Sequence, residues 1–137
     1  MFAPDTKILV VDDMPTIRDL VKNQLRAMNF KNLIEAVDGE SALQHLIKNK
    51  AAGSPVQLVI CDWNMPKMTG LELLKQVRAS SDWATLPFVL LTSESERDQV
   101  TEAILAGVSQ YVVKPFAAKT FEEKLKSVWV KHGGDKV

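Results

Sequence analysis

Acidic residues stand at two places in the sequence where a run of apolar residues ends. Asp12 and Asp13 follow the segment KILVV at 7–11, and Asp62 follows VQLVIC at 56–61. An isolated carboxylate is costly to bury unless it is paired or binds a cation. These aspartates therefore either lie where a strand reaches the surface or share a site with other charged groups.

Further polar residues mark the ends of two other apolar segments or follow Asp62 closely. They are Asn64, Thr92, Ser93, Glu94, Lys114 and Pro115. Each has a simpler explanation on its own, because an acidic pair before a helix is commonly a cap and an isolated lysine is commonly a solvated side chain. Together with the three aspartates, these residues supply several carboxylates and a lysine, which suit the binding and transfer of a phosphoryl group.

The segments around these residues alternate between strand and helix. Short apolar runs predict five strands, at 7–11, 32–36, 56–61, 87–92 and 110–113. Each run is followed by apolar residues at helical spacing, and the polar segment KNKAAGSP at 48–55 predicts a loop after the second helix. Five strand–helix units predict an α/β fold, (βα)5, in which a doubly wound, five-stranded parallel sheet has helices on both faces.

The predicted sheet brings the polar residues to one place. Ligands of open parallel sheets bind outside the carboxyl ends of the strands, and these residues all follow strand ends. Two like charges about 4 Å apart repel by about 4 kcal/mol near a protein surface, so three carboxylates need a counter-charge. The residues therefore predict a Mg²⁺ site beside Lys114, with an aspartate available to form an aspartyl-phosphate.

Length and charge limit the remaining possibilities. The 137 residues predict one domain, 1–137, with a core from about 6 to 132. Lys and Arg number 17, as do Asp and Glu, so the net charge of zero does not favour nucleic-acid binding. No apolar run approaches the roughly 20 residues of a membrane helix. We expect a cytoplasmic monomer that binds neither nucleic acid nor membrane.

Four motifs at these positions resemble the receiver domain of two-component response regulators. They are VVDD at 10–13, CDWNMP at 61–66, Thr92 with Glu94, and YVVKPF at 111–116. The resemblance extends over essentially the whole chain and is strongest to the single-domain chemotaxis regulators. It implies a flavodoxin-like strand order, 2-1-3-4-5, and a cis bond between Lys114 and Pro115.

The resemblance also implies a set of metal ligands. Asp13, a carboxylate oxygen of Asp62 and the backbone carbonyl of Asn64 would bind Mg²⁺ directly, and Asp12 would act mainly through a water molecule. These roles follow from the family and not from the spacing of the residues.

The same resemblance implies a phosphorylation switch. Asp62 would accept a phosphoryl group from a histidine kinase, Lys114 and Thr92 would contact the phosphoryl oxygens, and Tyr111 would be the aromatic switch residue. The switch would change a face formed by the fourth helix, fifth strand and fifth helix, which would bind a partner such as a flagellar motor switch protein. Self-phosphotransfer and slow self-dephosphorylation would be its only reactions, so we do not expect an enzyme.

Other functions remain open from the sequence. A phosphohydrolase that forms an aspartyl-phosphate would use the same strand end, although it typically has a second acid where this chain has Asn64. A receiver that serves as a phosphorelay component or phosphate sink would have the same residues. A flavin-binding protein is less favoured, because the acidic segment DDMPT at 12–16 would repel the flavin phosphate.

Overall fold

The structure, a computed structural model, describes residues 1–93 and 97–133. Strands and helices alternate along these residues, and each predicted strand lies within two residues of an observed one. The elements are β1 Ile8–Val11, α1 Pro15–Ala27, β2 Leu33–Ala36, α2 Gly39–Ala51, β3 Leu58–Asp62, α3 Gly70–Ala79, β4 Phe88–Thr92, α4 Arg97–Leu105, β5 Gln110–Val113 and α5 Ala118–Lys131.

The five strands form one sheet in the order β2-β1-β3-β4-β5. All neighbouring strands are parallel. The predicted doubly wound fold and its strand order are therefore confirmed. None of the helices in the described ranges combines the length and hydropathy of a membrane span.

Two apolar clusters, one on each face of the sheet, hold the strands in place. Alternate residues of a strand enter opposite clusters, as Leu9 and Val11 do on one side and Ile8 and Val10 on the other. Helices α2, α3 and α4 cover the first face, and α1 and α5 cover the second. With both faces buried, polar groups at the strand ends have only the edges of the sheet through which to reach solvent.

The prediction of a loop at 48–55 is wrong for residues 48–51, which continue helix α2. Lysine and alanine favour helices, so this polar segment is compatible with a helix. Asn49 donates a hydrogen bond from Nδ2 to the carbonyl of His45 (2.7 Å), and Lys7 Nζ donates to Asn49 Oδ1 (2.8 Å). The Lys7 contact spans 42 residues, so local sequence patterns do not reveal it.

Helix α3 begins directly after the loop that follows β3. Thr69 caps it through a hydrogen bond accepted from the Glu72 N–H, and the Glu72 side chain accepts one from the Thr69 N–H. Gly70 donates its N–H to the carbonyl of Trp63 (2.8 Å). A Cβ atom at Gly70 would overlap the carbonyl oxygen of Asp62, so this position requires glycine.

We predict that Gly70→Ala destabilises the protein by about 2 kcal/mol or more, because the added methyl must displace the backbone of Asp62. Gly53→Ala is the matched control, since Gly53 has a φ of +78° but nothing within 4 Å of its added Cβ. It should lose about 1 kcal/mol from backbone strain alone. Denaturant unfolding measures both, and equal losses would show that the close approach at Gly70 does not matter.

Candidate functional site

Three carboxylates meet at the carboxyl edge of the sheet. Asp12 and Asp13 follow β1, Asp62 is the last residue of β3, and β1 and β3 are neighbours in the sheet. Each of the three offers a carboxylate oxygen within 4.8 Å of the others. Lys114 Nζ donates a hydrogen bond to Asp62 Oδ1 at 2.8 Å. The structure therefore brings together the three acids and the lysine that the sequence placed at one edge.

The three carboxylates differ in exposure. Asp12 and Asp62 are buried, with 2% and 6% of their surface exposed, whereas Asp13 is exposed. Asp12 Oδ1 accepts a hydrogen bond from the Met14 N–H (2.9 Å). Asp12 Oδ2 is buried and finds no hydrogen-bond partner among the described residues. A buried carboxylate oxygen without a partner favours either protonation or a bound cation.

Electrostatics at Asp12 support the same conclusion. Burial, with a smaller contribution from the charges of Asp62 and Asp13, raises the pKa of Asp12 from 3.8 to about 6. The Met14 N–H and the charge of Lys114 oppose this rise in pKa. At neutral pH the Asp12 carboxylate is thus charged in an environment that disfavours its charge. A divalent cation would stabilise the charged form.

The donor set fits Mg²⁺. Carboxylate oxygens are hard ligands, and Mg²⁺ commonly binds through one or two of them while keeping several waters. Asn64 lies two residues beyond Asp62 and is exposed. Its role as a ligand through the backbone carbonyl stays a prediction, as do the metal roles of Asp12, Asp13 and Asp62.

Lys114 reaches Asp62 across the end of one intervening strand. Lys114 directly follows β5, Asp62 ends β3, and β4 lies between these strands. The Lys114 N–H donates to the carbonyl of Thr92 (2.6 Å), which places the end of β4 between them. The bond between Lys114 and Pro115 is cis, as the resemblance implied. An ammonium group held in this way can bind an anionic group attached to Asp62.

Thr92 connects the edge of the sheet to helix α4. Its side chain is buried, and its Oγ1 donates a hydrogen bond to Gln99 Oε1 at 3.5 Å. Tyr111, on β5, is half-buried against the cluster beneath α2, α3 and α4, and Lys124 Nζ lies 5.3 Å from the centre of its ring. Glu94 lies outside the described residues. The switch roles of Thr92 and Tyr111 stay predictions.

Three residues near the site were not singled out from the sequence. Arg18 Nη1 donates to the carbonyl of Asp12 (2.7 Å), Gln99 contacts Thr92, and Gly70 lies against the backbone of Asp62. Gly70 begins a helix soon after Asp62, and a glycine at such a position can indicate that the helix lies close to the backbone of the strand. Arg18 and Gln99 resemble ordinary helical surface residues in the sequence, so their contacts become visible only in three dimensions.

Comparison with known proteins places the chain in a family. The response regulator receiver domain family matches residues 8–126. The chemotaxis protein CheY-3 of Vibrio cholerae is 46% identical over 123 residues, covering 90% of this chain and 91% of that protein. The chemotaxis protein CheY of Pseudomonas aeruginosa is 44% identical over 128 residues, covering 93% and 99%. The solved structure of the Vibrio cholerae chemotaxis protein CheY4 has a TM-score of 0.78 at 34% identity, covering 90% of this chain and 98% of that one.

The doubly wound sheet, with a carboxylate cluster and a lysine at its carboxyl edge, agrees with the fold of these relatives. The chain belongs to the response regulator receiver domain family. The family match lies within the predicted core of about 6–132. The chain is accordingly a signalling protein.

We predict that Asp12→Asn stabilises the protein at neutral pH when divalent cations are removed. Because the pKa of Asp12 is higher in the folded state, its stabilising protonation is complete below about pH 4 and is lost as the pH rises through about 6. The variant should be about 1–2 kcal/mol more stable than the wild type above pH 6, with no difference near pH 4.

Denaturant unfolding in a chelator between pH 4 and 8 measures this difference. The Asn side chain can still accept the hydrogen bond of the Met14 N–H. Asp5→Asn, at an exposed position outside the cluster, controls for the general loss of one carboxylate. A variant less stable than the wild type at pH 7 would contradict the unfavourable environment inferred for the charged Asp12 carboxylate.

Proposed function

We propose that this chain is a Mg²⁺-dependent phosphorylation switch in which Asp62 is the phosphoacceptor. The observation that supports this most directly is the 2.8 Å contact between Lys114 Nζ and Asp62 Oδ1 beside two further carboxylates. Asp62 is at the end of a strand with 6% of its surface exposed, so its carboxylate lies at the edge of the sheet from which a donor would approach.

The reaction is a transfer between two nucleophiles. An oxygen of the Asp62 carboxylate attacks the phosphorus of a phosphohistidine on a histidine kinase, a P–O bond forms, and the P–N bond breaks. The electron pair of the broken bond returns to the imidazole nitrogen. Lys114, already in contact with Asp62, exchanges part of that contact for an oxygen of the phosphoryl group.

A bound Mg²⁺ would supply positive charge that offsets the repulsion between the incoming phosphoryl group and the carboxylates. Asp13, Asp62 and the backbone carbonyl of Asn64 would hold the ion, with Asp12 acting through a water molecule. The buried, unpartnered Oδ2 of Asp12 supports this assignment, because a water bound to the ion would give it a donor.

The signal would leave the site through Thr92. A phosphoryl oxygen offers Thr92 Oγ1 a charged acceptor that is stronger than the neutral amide of Gln99, which now accepts at 3.5 Å. Rotation of Thr92 toward the phosphoryl group would release Gln99 on α4 and leave space for Tyr111. This is a local change in packing that shifts a two-state equilibrium.

The partner would bind the face formed by α4, β5 and α5. Ile104 and Leu105 are neighbours on α4 and have 61% and 82% of their surface exposed, so they offer an apolar contact to a partner. A cleft of about 260 Å³ beside them is lined by Tyr111 and Lys131, among others. Lys119 and Lys126 are exposed on α5, and Lys124 covers the Tyr111 ring. The face therefore suits a partner segment that is both apolar and acidic.

Chemotaxis is the pathway that we propose for this switch. Two relatives at 44–46% identity are chemotaxis proteins, and each is matched over at least nine-tenths of its length. The phosphodonor would then be a chemotaxis-type histidine kinase in the cytoplasm, and the target a flagellar motor switch protein. The phosphohydrolase alternative is not favoured, because Asn64 cannot protonate a leaving group.

We predict that a small acyl phosphate or phosphoramidate with Mg²⁺ labels Asp62 and no other residue. Peptide mapping by mass spectrometry after trapping the acyl phosphate identifies the labelled side chain. Asp62→Asn should abolish the label, and a chelator should reduce it strongly. Label on Asp12 or Asp13 in the wild type, or full labelling without a divalent cation, would refute the proposed site.

We predict that Lys124→Glu weakens binding of the phosphorylated protein to a motor switch peptide by about tenfold, because it reverses a charge at the centre of the face. Fluorescence anisotropy with a labelled peptide measures the dissociation constant. Lys31→Glu is the matched control, since Lys31 is exposed and lies in the connection between α1 and β2. Equal weakening by the two variants would argue against docking on this face.

A further inference from the structure

The peptide unit between Asp12 and Asp13 joins two of the proposed Mg²⁺-binding residues. Its flanking groups are restrained from several directions. The Asp12 N–H donates to the carbonyl of Ala36 on β2 (3.2 Å), and the Met14 N–H donates to Asp12 Oδ1 (2.9 Å). The carbonyl oxygen of Asp12, which belongs to this peptide unit, accepts a hydrogen bond of 2.7 Å from Arg18 Nη1.

Arg18 is itself fixed by a second contact. Its Nε lies 3.1 Å from Glu35 Oε1 on β2, while Lys22 Nζ lies 3.1 Å from the other oxygen, Glu35 Oε2. Glu35 pairs with Val10 in the sheet, so its backbone is anchored next to β1. The side chains of Arg18 and Lys22 are each 13% exposed. A planar guanidinium uses two separate donors here, one toward the sheet and one toward the carbonyl of Asp12.

The backbone of Met14 is held by the first turn of α1, because its carbonyl accepts hydrogen bonds from the N–H groups of Ile17 and Arg18 (3.1 Å each), but side-chain restraints on the segment after Asp12 are few among the described residues. Asp13 is exposed, and Met14 has 53% of its surface exposed. Met14 is also the N-cap of α1 but makes no side-chain capping hydrogen bond. Arg18 is therefore the side chain that ties the Asp12 carbonyl to both α1 and β2.

We propose that Arg18 is a positioning residue for Mg²⁺ binding: it fixes the peptide unit between Asp12 and Asp13 through the Asp12 carbonyl, and Glu35 fixes Arg18. This inference rests on the proposed function and adds a residue that lies outside the carboxylate cluster. Arg18 touches the backbone of a ligand and not the ligand oxygens, so it acts through Asp12 and Asp13. Residues that orient metal ligands typically change metal affinity by about 10–100-fold when they are replaced.

The competing explanation is that Arg18 is one partner of an ordinary surface ion pair. Such pairs contribute little to stability and nothing to the geometry of a neighbouring loop. Lys22 provides a matched control for this explanation, because it pairs with the same glutamate, has the same exposure and carries the same charge. No hydrogen bond recorded among the described residues joins Lys22 to Asp12.

The experiment compares Arg18→Gln with Lys22→Gln in the full chain. Isothermal titration calorimetry measures Mg²⁺ affinity, and amide hydrogen exchange of Met14 in a chelator measures the order of the loop without metal. We expect Arg18→Gln to bind Mg²⁺ about tenfold more weakly and to exchange the Met14 amide faster. Lys22→Gln should change neither quantity by more than about twofold, because Lys22 contacts Glu35 and makes no hydrogen bond to Asp12 among the described residues.

Two further variants keep the result interpretable. Arg18→Lys retains the charge but offers one ammonium in place of two fixed donors, so its Mg²⁺ affinity should fall between those of Arg18→Gln and the wild type. Glu35→Gln leaves Arg18 and Asp12 intact and weakens the anchor, so it should also give an intermediate affinity, even if Arg18→Gln does not fold.

The outcomes separate this inference from the proposed function. Unchanged Mg²⁺ affinity in Arg18→Gln, or an equal loss in Lys22→Gln, would overturn the role of Arg18 while Asp62 phosphorylation stood. A wild-type protein that failed to bind Mg²⁺ at millimolar concentration would overturn the proposed function and this inference with it. Selective loss of affinity and of amide protection in Arg18→Gln supports the role.

Discussion

The burial of negative charge beside other carboxylates is the constraint on which the site depends. Asp12, Asp13 and Asp62 offer oxygens within 4.8 Å of one another, two of these residues are buried, and Lys114 is the cation in contact with Asp62. Among the described residues one ammonium faces three carboxylates, so this edge of the sheet carries negative charge that is not balanced. A divalent cation would offset this negative charge, and a phosphoryl group on Asp62 would add to it, so the proposed switch depends on both.

The fold tolerates this repulsion because the surrounding strands are closely packed. Strands β1 and β3 are buried on both faces, and their apolar residues pack into two separate clusters. Gly70 allows helix α3 to approach the backbone of Asp62 closely, and Thr69 and Glu72 cap that helix. Burial and capping stabilise the whole domain, whereas the carboxylate repulsion acts at one edge of the sheet.

The sequence predicted the strands and the residues at their carboxyl edge, but fewer of the contacts that hold these residues in place. Apolar runs that end in Asp12, Asp62 or Lys114 marked both the strands and the edge where the side chains meet, because parallel strands align their carboxyl ends. The continuation of α2 to Ala51 and the contact of Arg18 with Asp12 could not be predicted in the same way. They depend on where long side chains from distant elements end, and neither periodicity nor composition encodes that position.

Thermal unfolding of the wild type and of Asp13→Ala, with Mg²⁺ and with a chelator, tests the central claim most directly. Removing one carboxylate should raise the melting temperature in the chelator, because it lowers the repulsion. Mg²⁺ should raise the melting temperature of the wild type and have little effect on the variant. A wild type that does not respond to Mg²⁺, or a variant that melts below the wild type in the chelator, would contradict the account.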